Sequence, residues 1–165
     1  RTGQPRLTGR SGLGYNRRPM TEPPSSSRVR VRYAETDQMG VAFHPYYLVW
    51  CEIGRTDLIR SLGAATYAEM ELEGVRLAVA EASLRYGAPA RYDDLIRIDT
   101  RLDRAGSRGV TFSYRLTLEE AAGPGTPGTL LATATTSPIP IDPAGRSRVL
   151  PAHVGEAFAA LLART

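Results

Sequence analysis

Two side chains in the stretch Tyr33 to Gly63, YAETDQMGVAFHPYYLVWCEIGRTDLIRSLG, are of types that do chemistry on a carbonyl: Asp37 and His44. A carboxylate can attack a carbonyl carbon or take a proton from water. An imidazole can hold a substrate or bind a water. Both residues precede a helix start. Pro45 suits the first helical position, because its missing N–H would be unpaired there anyway, and this makes His44 the cap or its neighbour. Gly63 follows the last apolar residue, Leu62, where a left-handed residue often ends a helix. Between them Tyr47, Cys51, Gly54, Leu58 and Leu62 recur at steps of three and four and mark one buried face. Gly54 on that face lets a second backbone come close. The N-terminus of such a helix carries unpaired N–H groups and a dipole that favours negative charge. A developing oxyanion placed there meets fixed donors. Residue types alone leave an alternative open, since an Asp before a helix is also an ordinary turn residue and a single His is often structural.

The elements that must position these groups can be read in order. Arg28 to Ala34 alternates Val29, Val31 and Tyr33 against Arg neighbours and reads as a half-buried strand. Residues 64–73 read as a short second helix ended by Gly74. Val75 to Tyr86 is a long strand, interrupted by Glu81, which is expected to face solvent. Gly87 to Ala90 is a turn or bulge, because Pro89 cannot donate to a ladder. Asp94 to Arg104 sets Ile96, Ile98 and Leu102 against Arg97, Asp99 and Arg101. Val110, Phe112, Tyr114, Leu116 and Leu118 form the clearest period-two run. After the hairpin tip AAGPGTPG, Thr129 to Ile141 returns as a strand whose end Pro138 and Pro140 make an edge. Asp142 to Gly145 turns the chain, and Pro151 to Ala163 is an amphipathic helix using Val154, Phe158, Leu161 and Leu162. One long helix followed by strands joined by short turns implies an α+β domain with an antiparallel sheet packed on a helix. A single helix covers little of such a sheet, so its open edges and spare apolar surface call for another subunit.

Three blocks carry a family resemblance. The run RVRYAETDQMGVAFHPYYLVWCEIGRTDLI resembles the YbgC-like branch of the 4-hydroxybenzoyl-CoA thioesterase family. Asp37, Gly40, Val41, Phe43, His44 and Tyr47 fall on that family's pattern of an Asp, a Gly, a short apolar run, a His or Tyr and an aromatic-rich helix start. SLRYGAPARYDDLIRI (Ser83 to Ile98) and PIPIDPAGRSRVLPAHV (Pro138 to Val154) are similar to its later strands and follow in the same order. The resemblance implies the hotdog fold, in which an antiparallel sheet wraps one long central helix. It implies hydrolysis of a small or medium acyl-CoA to the free acid and CoA, without metal or bound cofactor. Asp37 is then the catalytic carboxylate, and His44 a catalytic residue contacting the thioester. Gly40, Val41, Phe43 and Tyr47 become substrate-binding positions, and the site lies at the interface of a homodimer that in the family often pairs into a tetramer. Arg85, Arg91 and Arg108 are further candidates for CoA phosphates, since Arg suits bidentate contacts. Two alternatives remain: a non-catalytic acyl-CoA-binding sensor or scaffold, against which the presence of Asp37 argues, and a hotdog-fold enoyl-CoA hydratase, whose local pattern Asp37 to Gly40 does not match.

Composition narrows the remaining classes. The 165 residues carry a net charge of +4, but residues 1–20 hold five Arg and no acid, which leaves 16 Arg against 17 acids elsewhere. The basic excess therefore belongs to the N-terminal stretch, and the domain offers no nucleic-acid surface. Residues 1–27 read as a disordered or loosely ordered tail and 28–165 as the single domain, with Met20 the expected native start. Two distant His and one Cys make no metal cluster. Walker loops, nucleophile elbows and membrane-spanning apolar runs are absent from the sequence. Cys51 reads as a small buried hydrophobe, and Glu52 and Arg55 as partners on the helix surface. A single Cys without a secretory signal points to the cytoplasm.

Overall fold

The computed structural model describes residues 25–63 and 66–164. In chain order these form β1 (Ser25–Arg30), a single 3-10 turn (Tyr33–Glu35), α1 (Tyr46–Ser61), α2 (Tyr67–Leu72), β2 (Arg76–Tyr86), β3 (Leu95–Gly106), β4 (Gly109–Glu120), β5 (Leu130–Ile141) and α3 (Ala152–Ala163). One antiparallel sheet holds all five strands in the order β1-β3-β4-β5-β2.

The period-two runs decide which face of the sheet is inside. Val110, Phe112, Tyr114, Leu116 and Leu118 are all at most 3% exposed, and they pair with Ala105, Leu102, Thr100, Ile98 and Ile96 of β3 in turn. Helix α1 lies on that face. Tyr47, Trp50, Cys51, Leu58 and Ile59 are buried against the sheet, and Gly54 brings the helix backbone close to β3. A Cβ at position 54 would fall 2.9 Å from Ile98 Cγ2 and closer still to Thr100 Oγ1. Helix α3 covers the end of the same face that α1 does not reach, with Phe158 edge-on to Phe112 at 6.2 Å. The outer face carries the alternate residues, among them the ion pairs Arg97–Asp99 (2.8 Å) and Arg101–Asp103 (3.4 Å).

The sequence expectations shift in three places. Strand β1 starts at Ser25 rather than Arg28, because Ser25 to Ser27 pair with Ile98 to Thr100. The rest of the expected tail, including Met20, lies outside the described residues. Tyr33 does not belong to the strand; it opens the 3-10 turn and is 78% exposed. Arg55 does not pair with Glu52 on the helix surface. It is 6% exposed, donating to Tyr67 Oη (2.8 Å) and Thr136 Oγ1 (3.4 Å), because position 55 continues the buried face set by Cys51 and Leu58.

Candidate active site

The segment between the 3-10 turn and α1 is a tight hairpin. Thr36 bridges to Ala42, Asp37 N–H donates to Val41 C=O (2.9 Å), and Gly40 N–H returns to Asp37 C=O (2.9 Å). Gly40 has φ of +70°, which a glycine adopts without steric cost. Asp37 Oδ1 accepts Met39 N–H at 2.8 Å, so the carboxylate closes an Asx turn as well as presenting itself. The described residues make no bond to its Oδ2. The turn reading and the chemical reading of Asp37 are therefore compatible: the turn bond orients the group.

Asp37 and His44 line one cleft of about 220 Å³, together with Val41, Tyr47, Tyr86 and Pro89. Loop and helix supply one wall, and the end of β2 with the following turn supplies the other. Tyr47 is buried; its ring packs at 5.2 Å from that of Tyr86, and its hydroxyl accepts Ala90 N–H at 3.1 Å. Burial raises the pKa of its phenol, so it stays protonated at neutral pH. Tyr86 donates to His44 C=O at 3.0 Å and meets the His44 ring edge-on at 6.5 Å. Phe43 packs edge-on to His44 at 4.6 Å and is 43% exposed. Gly40 and Phe43 thus shape the loop and support His44 without lining the cleft themselves.

The helix start differs from expectation by one residue. Pro45 is the N-cap, with helical φ/ψ of −65° and −25°, and α1 begins at Tyr46. Tyr46 N–H donates to Phe43 C=O and Leu48 N–H to Pro45 C=O, both at 3.0 Å, so these donors are committed. Tyr47 N–H has no acceptor among the described turn and side-chain contacts.

The three Arg candidates separate. Arg91 Nη1 donates to Gly40 C=O at 3.4 Å, beside the cleft loop. Arg85 stands opposite Thr133 on the outer sheet face, because its neighbours Leu84 and Tyr86 point inward. Arg108 sits in the β3–β4 turn and bonds Ser147 Oγ at 3.1 Å. Within one chain only Arg91 is brought to the loop.

Two residues at the site were not singled out from sequence. Tyr86 had a signal: it ends the β2 alternation on the inner face. Glu35 had none, for its burial is a tertiary property. Its side chain is 1% exposed; Oε2 accepts Arg32 N–H (2.8 Å), and Oε1 accepts the Arg32 guanidinium (2.8 Å) and Trp50 Nε1 (3.3 Å). Burial works to raise the Glu35 pKa, but the bonds from Arg32 and Trp50 together outweigh it and hold the group below the usual carboxylate range. Cys51 is fully buried, and burial pushes its thiol up to about 12, which leaves it without nucleophilic character at neutral pH. Glu81 is exposed, as its place in β2 suggested. Among the described residues no group of three or more His, Cys, Asp or Glu could hold a metal ion, and no helix is long and apolar enough to cross a membrane.

With this geometry in place, comparison with known proteins is informative. The model of the Thioesterase superfamily matches residues 39–135, starting two residues after Asp37. The chain is similar to the putative acyl-CoA thioesterase YneP of Bacillus subtilis, at 38% identity over 56% of this chain and 66% of that one. It is similar to the acyl-CoA thioester hydrolase YbgC of Escherichia coli O6:H1, at 31% identity over 79% of this chain and 92% of that protein. Among solved structures, a DHNA-CoA thioesterase from Staphylococcus aureus superposes with a TM-score of 0.77 at 28% identity, covering 84% of this chain and 91% of its own.

Proposed function

Because the chain belongs to the thioesterase superfamily and has its hotdog fold, we propose that it is an acyl-CoA thioesterase whose reacting carboxylate is Asp37. It hydrolyses the thioester of a small or medium acyl-CoA, giving the free acid and CoA. The observation that carries this reading is the meeting of Asp37 and His44 in one cleft at the start of α1, beside the uncommitted Tyr47 N–H. The thioester carbonyl oxygen points to that N–H, where the helix dipole stabilises the charge that develops on it. Asp37 then attacks the carbonyl carbon or takes a proton from the attacking water, and the CoA thiolate leaves and is protonated. His44 contacts the thioester from the same loop. Tyr47 and Val41 line the acyl side, Gly40 and Phe43 hold the loop, and Arg91 is placed for a CoA phosphate. Arg85 and Arg108 serve a CoA tail only if they come from a neighbouring subunit.

The working unit is a homodimer. Strand β2 is the free edge next to the cleft, and most of its residues are exposed, including Val79 at 47% and Tyr86 at 49%. An eleven-residue unpaired edge is a template for a second strand. Leu48 and Val49 on α1 are 37% and 41% exposed and add apolar surface. A second copy paired along β2 covers this surface and completes the cleft; two such dimers give a tetramer. Residues 25–165 form the catalytic domain, which needs no cofactor and works in the cytoplasm.

The test is thiol release from acetyl-, hexanoyl-, palmitoyl- and benzoyl-CoA by the wild type and by Asp37→Asn. Turnover by the wild type and loss of kcat in the variant support the reading; equal rates remove Asp37 from the mechanism.

A further inference from the structure

We infer that Glu35 is a positioning residue for the reaction, the latch that fixes the Asp37 loop against helix α1. This rests on the assignment of Asp37 as the reacting carboxylate. Glu35 joins three pieces of backbone, the end of β1, the loop and the start of α1; β1 and α1 also touch farther along, where Ser27 Oγ donates to Asp57 at 2.6 Å. Its carboxylate ties back to the end of β1 through the N–H and guanidinium of Arg32, and across to α1 through Trp50 Nε1. Its own C=O accepts Phe43 N–H at 2.8 Å, closing the base of the 36–42 hairpin that carries Asp37. Trp50 is fully buried one turn beyond Tyr47, so the Glu35 bond refers the loop to the part of α1 that presents the Tyr47 N–H.

The chemistry of the group argues for this role. A carboxylate that is 1% exposed is costly to bury, and three donors to one side chain compensate it. One of those donors comes from a side chain that is 71% exposed, so the pair adds little to the core itself. What the arrangement does fix is the distance between a nucleophile or base on a loop and an N–H donor on a helix. Displacement of a reacting group by about 1 Å costs on the order of 100-fold in rate. A neutral glutamine at position 35 cannot accept all three donors, because its amide nitrogen is itself a donor.

The experiment measures kcat and KM for thiol release from hexanoyl-CoA by the full chain, together with thermal unfolding. Wild type, Asp37→Asn, Glu35→Gln, Arg32→Gln and the Glu35→Gln/Arg32→Gln double variant are compared. Glu35→Gln is expected to lower kcat about 10- to 100-fold with KM nearly unchanged, when rates are expressed per folded molecule. Arg32→Gln, at an exposed side chain that cannot unfold the domain, is expected to lower kcat about 2- to 10-fold. The double variant should be no worse than Glu35→Gln alone, because both changes release the same latch. If kcat per folded molecule is unchanged in Glu35→Gln, Glu35 is only a structural residue and the inference is overturned. If Glu35→Gln does not fold, Arg32→Gln decides: wild-type kcat overturns the inference, and a lowered kcat at constant KM upholds it. Should Asp37→Asn itself match the wild type, the reading of Asp37 fails and the latch has nothing to position. Inactive Asp37→Asn beside fully active Glu35→Gln removes the latch alone.

Discussion

Asp37 owes its orientation to a bond that any turn Asp makes, Oδ1 to the N–H two residues on. This is why local sequence could not choose between a turn residue and a reacting one. The other carboxylate oxygen carries no bond from the described residues, and Asp37 lines the cleft. Replacing Asp37 by Asn keeps the turn acceptor and removes the charge. Thiol-release assays should therefore show a kcat loss on the order of 100-fold or more with little change in melting temperature. A single turnover in water labelled with heavy oxygen, with acyl-enzyme trapping, divides the two mechanisms. Label recovered in the Asp37 side chain means attack by the carboxylate; label only in the released acid fits either general-base catalysis or water attack on the acyl carbonyl of an anhydride, and trapping an acyl-enzyme distinguishes these. Glu35 yields a separate expectation at this scale. Its folded-state pKa is depressed, so its contribution to stability is present above the ordinary carboxylate pKa and is lost as pH falls through the lower folded value. Urea midpoints of the wild type should fall on acidification below about pH 4, the ordinary Glu range. Glu35→Gln should show a shallower fall over that interval, and parallel curves for the two proteins would refute the linkage.

At the scale of elements, α1 sets Tyr47 of its first turn in the cleft lining and presses its middle to the sheet at Gly54. The close approach leaves no room for a side chain: a Cβ would meet Ile98 Cγ2 at 2.9 Å, and Thr100 Oγ1 more closely. Gly54→Ala is expected to cost about 1–3 kcal/mol by overpacking, against a small gain in helix propensity. Urea unfolding measures the difference, and a stabilised variant would contradict the packing. Strand β2 meets the loop that leads into this helix from the opposite wall, through the Tyr86 hydroxyl on His44 C=O. Tyr86→Phe removes that hydroxyl while keeping the ring. A fall in kcat of about 2- to 10-fold is expected, corresponding to one lost hydrogen bond, and unchanged kinetics would show that the bond is incidental.

For the whole molecule, the sheet order leaves β2 as the outer strand beside the cleft, with apolar side chains exposed along it. Charges placed on this edge oppose pairing with a second copy. The variant Ala80→Lys/Ala82→Lys should sediment as a monomer where the wild type sediments as a dimer, and should lose most of its thiol release. A monomeric wild type with full activity would instead show that one chain suffices. The outer sheet face, with its Arg–Asp pairs and Thr and Ser rows, is solvated and gives no comparable surface.

The sequence by itself determined the elements, the faces they bury and the loop that sets Asp37 and His44 before the long helix. Each follows from spacing along the chain: period two in β3 and β4, steps of three and four in α1, a proline and a glycine bounding the long helix. Tertiary structure alone decided which distant groups meet. Glu35 became a buried latch because Arg32 and Trp50 converge on it, Arg55 left the expected surface pair for an interior bonded by hydroxyls, and Tyr86 crossed 42 positions to hold the loop at His44. Periodicity records which side of an element faces the core, but a hydrogen bond across the fold depends on where two elements come to rest, and that is set by the packing of the whole sheet on the helix.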